Sequence, residues 1–141
     1  MNGDFSLAVH ALVYIYHKQK PQDSEELAVN ICTNPARVRR VMARLAAAGL
    51  VRPLRGGHGG YALPESAAPD LATVARALDA RPVQVVWRSG DADMDCRVAS
   101  GMAALMDGIY QQMNDIDMDY LSGISIADIN AQLFGAEAGK G

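Results

Sequence analysis

Residues 33–63 read TNPARVRRVMARLAAAGLVRPLRGGHGGYAL, and this stretch decides the fold. Asn34 can cap a helix, and Pro35 is preorganised for the first helical position. A helix is therefore predicted from Pro35 until Gly49 ends it. Behind it, two short β-prone runs flank the glycine-rich segment RGGHGGY at residues 55–61.

That glycine-rich segment has two physical interpretations. A glycine-rich loop can hold a phosphate group through its backbone N–H groups, or it can form the tip of a β-hairpin. No Gly-Lys-Ser/Thr sequence follows the loop and no helix begins directly behind it, which argues against a phosphate loop. Val51, Tyr61 and Leu63 suit short strands, so the sequence predicts a hairpin.

Two further helices precede this stretch. FSLAVHALVYIY at residues 5–16 is apolar, of helical length and free of helix breakers. Asp23 then caps a short helix, with Glu26 at the spacing of a reciprocal partner. Helix, short helix, arginine-bearing helix and hairpin follow one another as in a winged helix-turn-helix. The predicted fold class is mainly α with a small β-hairpin wing.

The third helix carries apolar residues on one side and arginines on the other. At about 100° per residue, the apolar stripe consists of Val38, Val41, Met42 and Leu45. The opposite side carries Arg37, Arg40 and Arg44, and Arg39 stands at the flank. Residues 1–64 have a net charge of +4 and the remainder −7. This asymmetry predicts a basic surface for double-stranded DNA, with an ordinary solvated face as the alternative.

The C-terminal half is predicted to contain a long dimerisation helix from Cys96 to Tyr120. Its apolar residues repeat at four-three spacing, which is typical of a helix that packs against a partner. The predicted dimer residues are Val98, Met102, Leu105, Ile109, Met113 and Ile116. The alternative is a core helix of a monomer. Four segments are predicted: the DNA-binding domain (1–80), a connecting loop (81–95), the dimerisation and C-terminal helices (96–134) and a flexible tail (135–141).

Composition limits the class of protein. The longest apolar runs are too short to cross a membrane, and two cysteines cannot form a disulfide scaffold, so a cytoplasmic protein without a membrane partner is expected. Asp91, Asp93 and Asp95 resemble the start of a calcium loop, but Cys96 and Met102 stand where glycine and glutamate are needed. No metal-ligand spacing or nucleophile motif is present, so no metal site and no enzyme are predicted.

These motifs together resemble the Rrf2 family of bacterial winged-helix repressors. The resemblance rests on FSLAVHAL (5–12), TNPARVRRVMARLAAAGLV (33–51), RGGHGGYAL (55–63) and DLATVARALD (70–79). It covers residues 5–78 closely and the long helix more loosely. The family implies a homodimer on a pseudo-palindromic DNA operator, with the third helix in the major groove and the wing over the minor groove. By matching position, the groove contacts are Thr33, Asn34, Arg37 and Arg40, and the wing contacts are Arg55 and His58.

The two cysteines set the expectations for cofactor and signal. Cluster-binding relatives carry three cysteines near the start of the long helix, whereas this chain has only Cys96 there, so no iron–sulfur cluster is expected. Cys32 and Cys96 both border predicted helix starts, where a thiolate is favoured. They are candidates for a thiol switch between subunits. The alternatives are small filler residues with a ligand or another signal acting elsewhere, or a winged-helix module that binds protein instead of DNA.

Overall fold

The computed structural model describes residues 1–56, 59–65 and 68–138. It contains six helices and two strands within those ranges: α1 (Gly3–Lys18), α2 (Ser24–Ile31), α3 (Pro35–Ala47), β1 (Arg52–Leu54), β2 (Gly60–Ala62), α4 (Leu71–Ala77), α5 (Arg97–Ser122) and α6 (Ile126–Ala138). This order confirms the predicted class, a mainly helical winged helix-turn-helix followed by a long helix.

Side-chain caps explain where the helices of the N-terminal region begin. The carboxylate of Asp23 accepts a hydrogen bond from the backbone N–H of Glu26, and Asn34 accepts one from the N–H of Arg37, both at 2.8 Å. Asn2 caps α1 in the same manner, so this helix begins earlier than the apolar pattern predicts. These caps satisfy N–H groups that have no partner inside the helix.

The core lies between α1, α2, α3 and α4. The apolar stripe predicted on α3 is fully buried in it, since no member exceeds 1% exposure: Val38, Val41, Met42 and Leu45. Leu12 of α1, Leu27 of α2 and Val74 of α4 pack in the same cluster. Burial of this stripe fixes the rotation of α3 and turns its opposite side towards solvent.

The hairpin is joined to the body of the protein by a third extended segment. β1 and β2 are antiparallel, with Pro53 opposite Tyr61. Gln22, a buried residue just before α2, exchanges two backbone hydrogen bonds with Tyr61, at 3.1 and 2.9 Å. Gly60 permits this approach because its φ is 149° and a Cβ there would lie 2.8 Å from the Gln22 carbonyl oxygen. This glycine of the loop is thus required by contacts within the chain.

The C-terminal helices return to the N-terminal domain. Backbone hydrogen bonds join Leu71 N–H to the Ile124 carbonyl (2.8 Å) and Ile126 N–H to the Pro69 carbonyl (3.0 Å). α6 then packs along α1, where the rings of His17 and Phe134 stack at 3.9 Å. α6 continues to Ala138, so the first four residues of the segment predicted as a tail are helical. Residues 139–141 lie outside the described ranges.

The long helix and the segment before it are held together by polar contacts. Residues 81–95, all of them described, form an irregular connection between α4 and α5. The side-chain amide of Asn114 accepts from the Val83 N–H (2.8 Å) and donates to the Val83 carbonyl (3.0 Å). Arg88 donates to Asp107 at 2.6 Å. In the described part of the chain, none of the helices has the length and apolarity needed to span a membrane.

Candidate nucleic-acid interface

Arg40 occupies the open side of α3. Its side chain is 65% exposed, and the neighbouring front positions, Ala36 and Ala43, are small and exposed. A long cation between two small side chains can extend without hindrance towards an external partner. A groove contact by Arg40 stays a prediction.

Arg37 lies beside Arg40 but has an internal partner. Its Nη2 and Nε lie 3.1 and 3.2 Å from Oδ1 of Asp4, in the first turn of α1. The Arg40 Nη2 lies 3.8 Å from the same oxygen. The two arginines predicted to face the groove therefore meet at one carboxylate, whose side chain is only 20% exposed.

Arg44 has a partner within the chain. Its Nη2 donates to the backbone carbonyl of Leu78 at 2.6 Å, at the C-terminus of α4. A cation at the end of a helix meets carbonyl groups that have no partner inside the helix. The helical projection groups Arg44 with Arg37 and Arg40, but the fold directs its guanidinium to α4. A DNA contact by Arg44 stays a prediction.

The helical projection predicts Arg39 at the flank of α3, outside the DNA interface. The structure shows what that flank faces. Its Nη1 donates to Oγ of Ser24 at the start of α2, at 3.2 Å. Burial raises the pKa of Tyr61 in β2, and the positive charge of Arg39 acts in the opposite direction, which places this arginine near the wing. Arg39 is exposed and lies between α2 and the wing, so it joins the candidate interface.

The remaining predicted contacts lie before α3 or in the wing. Thr33 and Asn34 precede α3, and the Asn34 side-chain oxygen already caps the helix. Arg55 follows β1 directly and is exposed. His58 lies outside the described residues. α3 and the wing thus carry three exposed arginines, Arg39, Arg40 and Arg55, which are together called the basic surface.

The apolar seam of α5 is open to solvent. All six predicted dimer residues have exposures between 37% and 69%: Val98, Met102, Leu105, Ile109, Met113 and Ile116. Every residue of this helix, which is described from end to end, is at least partly exposed. The monomer-core alternative is therefore wrong for this chain, since α5 leaves its seam uncovered.

The two cysteines are both exposed and free in the single chain. Cys32 ends α2 with a left-handed backbone (φ 66°), and its Sγ lies 3.8 Å from the Val29 carbonyl oxygen. Cys96 occupies the N-cap position of α5. The backbone N–H groups of Ala99 and Val98 lower the pKa of its thiol, because they stabilise the thiolate.

Comparison with known proteins identifies relatives over the whole length. The family model described as "Rrf2: Iron-dependent Transcriptional regulator" matches residues 1–132. A protein assigned as a transcriptional regulator from Lactobacillus plantarum shares 24% identity, with a TM-score of 0.79 over 94% of this chain and 91% of its own. CymR, the global cysteine regulator of B. subtilis, shares 18% identity, with a TM-score of 0.67 over 94% and 96%. No curated protein matches the sequence significantly.

A third similar structure is IscR from T. potens, with 17% identity and a TM-score of 0.70 over 96% of this chain and 89% of its own. At these identities the solved structures establish the fold, whereas the family model establishes membership. Together they confirm the predicted family resemblance.

An iron-dependent family raises the question whether this chain can hold an iron–sulfur cluster. Such clusters are held mainly by cysteine thiolates. The chain has two cysteines, at the ends of different helices. In the ranges that the structure describes, no three His, Cys, Asp or Glu side chains are grouped to hold a metal ion. These residues do not fit a cluster.

Proposed function

Because this chain belongs to the Rrf2 family of transcriptional regulators, we propose that it is a homodimeric repressor that binds operator DNA through α3 and the wing. The observation that carries this proposal is the exposed basic surface formed by Arg39, Arg40 and Arg55. DNA is the polyanion that matches it, since phosphate contacts position such a domain and base-edge contacts give it specificity. The family and its fold are those of regulators, not of enzymes.

The proposed contacts follow the geometry of the domain. The start of α3, with Thr33, Asn34, Arg37 and Arg40, enters the major groove, and the wing with Arg55 and His58 lies over the minor groove. Arg39 extends the basic surface between these two parts. An arginine that donates two hydrogen bonds to a guanine edge gives sequence specificity, whereas Arg55 at the wing serves phosphate or the narrow minor groove.

The proposed dimer covers the seam of α5. With 26 residues, this helix is about 39 Å long at 1.5 Å per residue. Its apolar stripe from Val98 to Ile116 spans about 27 Å, and such a stripe, exposed on one chain, matches the heptad-like packing of paired helices. Two copies related by a twofold axis present two α3 helices to a palindromic site, one to each half-site.

Control by thiol oxidation is proposed as the signal, without an iron–sulfur cluster. Both cysteines are exposed, and the lowered pKa of the Cys96 thiol favours the thiolate, which is the form that reacts with oxidants. The competing possibility is a ligand-responsive repressor in which neither cysteine takes part.

DNA selection with the purified protein tests the proposal. A pool of random duplexes at low salt should yield an enriched palindrome, and affinity for it should fall as salt rises, because bound phosphates release counterions. Arg40→Ala should weaken binding. Arg76→Ala is the matched control, since Arg76 is an exposed arginine of α4 and lies outside the proposed interface. A wild-type protein that enriches no duplex contradicts DNA binding and favours the protein-interaction module. Equal losses in the two variants would mean that α3 is not the contact surface.

The direction of regulation needs a separate measurement. A reporter gene placed behind the selected palindrome should be less active in cells that express the protein, as expected of a repressor. Higher reporter activity would identify an activator instead. A reporter with a scrambled palindrome controls for effects that do not depend on DNA binding.

A further inference from the structure

Asp4 connects the start of α1 to the surface that is proposed to read DNA. Its Oδ1 accepts two hydrogen bonds from one Arg37 guanidinium, through Nε at 3.2 Å and Nη2 at 3.1 Å. The fit is close, because a Cβ on Gly3 would lie 2.9 Å from Arg37 Nη2. Asp4 is itself held in the first helical turn, where its N–H donates to the cap residue Asn2.

This contact gives Arg37 properties that differ from those of a free surface arginine. The carboxylate neutralises much of its charge, so Arg37 attracts phosphate less than Arg39 or Arg55 does. The same contact fixes the plane of the guanidinium, so little side-chain freedom remains to be lost when Arg37 binds. Phosphate contacts need charge but little orientation, whereas base-edge contacts need a fixed donor geometry.

We propose that Asp4 is a specificity-determining positioning residue: it converts Arg37 from a phosphate-binding cation into an oriented donor for a base edge. Arg40, 3.8 Å from the same oxygen, is held more loosely and stays available to either type of contact. This inference rests on the proposed function, because it assigns a role within the DNA-binding surface. Asp4 therefore lowers non-specific affinity and raises affinity for the operator.

Removal of the carboxylate should separate these two effects. We expect Asp4→Ala to bind a scrambled duplex more tightly, with a salt slope steeper by about 0.9, because the freed Arg37 neutralises one more phosphate. The selectivity ratio, which is the affinity for the selected operator divided by that for the scrambled duplex, should drop about tenfold. A drop of this size is within the discrimination that one good base contact gives. Asp4→Asn keeps the shape of the side chain and should change the ratio in the same direction.

Three variants show whether Asp4 acts through Arg37. In an Arg37→Ala background, Asp4→Ala should change the selectivity ratio little further, since only the looser contact with Arg40 remains. Asp119→Asn removes the same charge from the exposed side of α5 and should leave the ratio unchanged. Arg37→Lys keeps a cation beside Asp4 but lacks the planar fork, so it should lower selectivity in a protein with an intact α1.

The outcomes distinguish this inference from the proposed function. A wild type that selects no duplex overturns both. Equal gains for operator and scrambled duplex in Asp4→Ala and Asp4→Asn mean simple charge repulsion, and they overturn the positioning role alone. An undiminished Asp4→Ala effect in the Arg37→Ala background overturns it as well. Thermal unfolding of each variant, at one protein concentration, confirms that folded proteins are compared.

Discussion

Two arginines one helical turn apart on α3 should respond differently to truncation, one through DNA affinity and the other through protein stability. Arg40 is 65% exposed and extends from the front of the helix, whereas Arg44 donates a 2.6 Å hydrogen bond to the Leu78 carbonyl. The same change to alanine should therefore reduce DNA affinity at Arg40 and protein stability at Arg44. The sequence pattern alone predicts the same outcome for both residues.

The size of each effect follows from these contacts. A hydrogen bond to a charged group contributes about 1.5–3 kcal/mol to stability. Because Arg44 is exposed, water replaces part of this contribution when the bond is lost. We therefore expect Arg44→Ala to lower the free energy of unfolding by about 1–2 kcal/mol, or roughly 3–8 °C in Tm. Arg40→Ala should stay within about 0.5 kcal/mol of wild type in stability. It should weaken operator binding by about 1–3 kcal/mol if Arg40 contacts a guanine edge.

Thermal unfolding followed by circular dichroism, together with fluorescence anisotropy on a labelled operator, measures both quantities on the same samples. Protein concentration must be equal throughout, because the stability of a dimer depends on it. The reasoning is refuted if Arg44→Ala keeps its Tm but loses affinity with a salt slope shallower by about one, the signature of a lost phosphate contact. Arg44 would then be the DNA contact that the helical projection predicts.

Three further predictions concern α5 and the cysteines. Leu105→Asp should convert the dimer into monomers and reduce operator affinity, because it places an unpaired charge in the seam. Multi-angle light scattering measures the oligomeric state, and a monomeric wild type at micromolar concentration would contradict the dimer. Mild oxidation should join Cys32 of one subunit to Cys96 of the other and change operator affinity; the bond requires their Cα atoms to lie within roughly 7 Å. A non-reducing gel without a crosslinked dimer, or a crosslinked dimer with unchanged operator affinity, would disprove the switch. In Cys32→Ser, alkylation of Cys96 by iodoacetamide should reach half its maximal rate below the pH of an ordinary thiol, because the Ala99 and Val98 N–H groups lower its pKa; a midpoint at the ordinary value counts against this.

The elements of the DNA-binding domain were predictable because their signals are local. Asn34 followed by Pro35 marks the start of α3, and Asp23 three residues before Glu26 marks that of α2. Each signal operates within one helical turn, so tertiary structure is not needed to interpret it. The apolar pattern predicts the start of α1 too late, because its cap, Asn2, lies three residues before the apolar run begins.

The partners of the arginines were not predictable in this way. A helical projection gives the direction of a side chain but not what lies there. Arg37 meets Asp4, 33 positions earlier, and Arg44 meets Leu78, 34 positions later. These pairings depend on how α1 and α4 pack around α3, which no periodicity in α3 records. The same holds for Asn114 and Val83, whose two hydrogen bonds join the connecting loop (81–95) to α5.

The contacts of α4 connect α5 to α3 within one chain. α4 is bonded to α3 through Arg44 and Leu78, and the turn after α5 is bonded to the start of α4 through Ile124 and Leu71. α4 also packs directly against α5. A displacement of α5 would therefore move α3 through a short helix that is tied at both ends. In the proposed dimer, a small displacement at the seam of α5 would cost contacts on both half-sites together, because the two α3 helices would reach grooves one turn of DNA apart. Arg44→Ala, which removes the bond to Leu78, should then do more than lower stability. It should also reduce the change in operator affinity that oxidation causes.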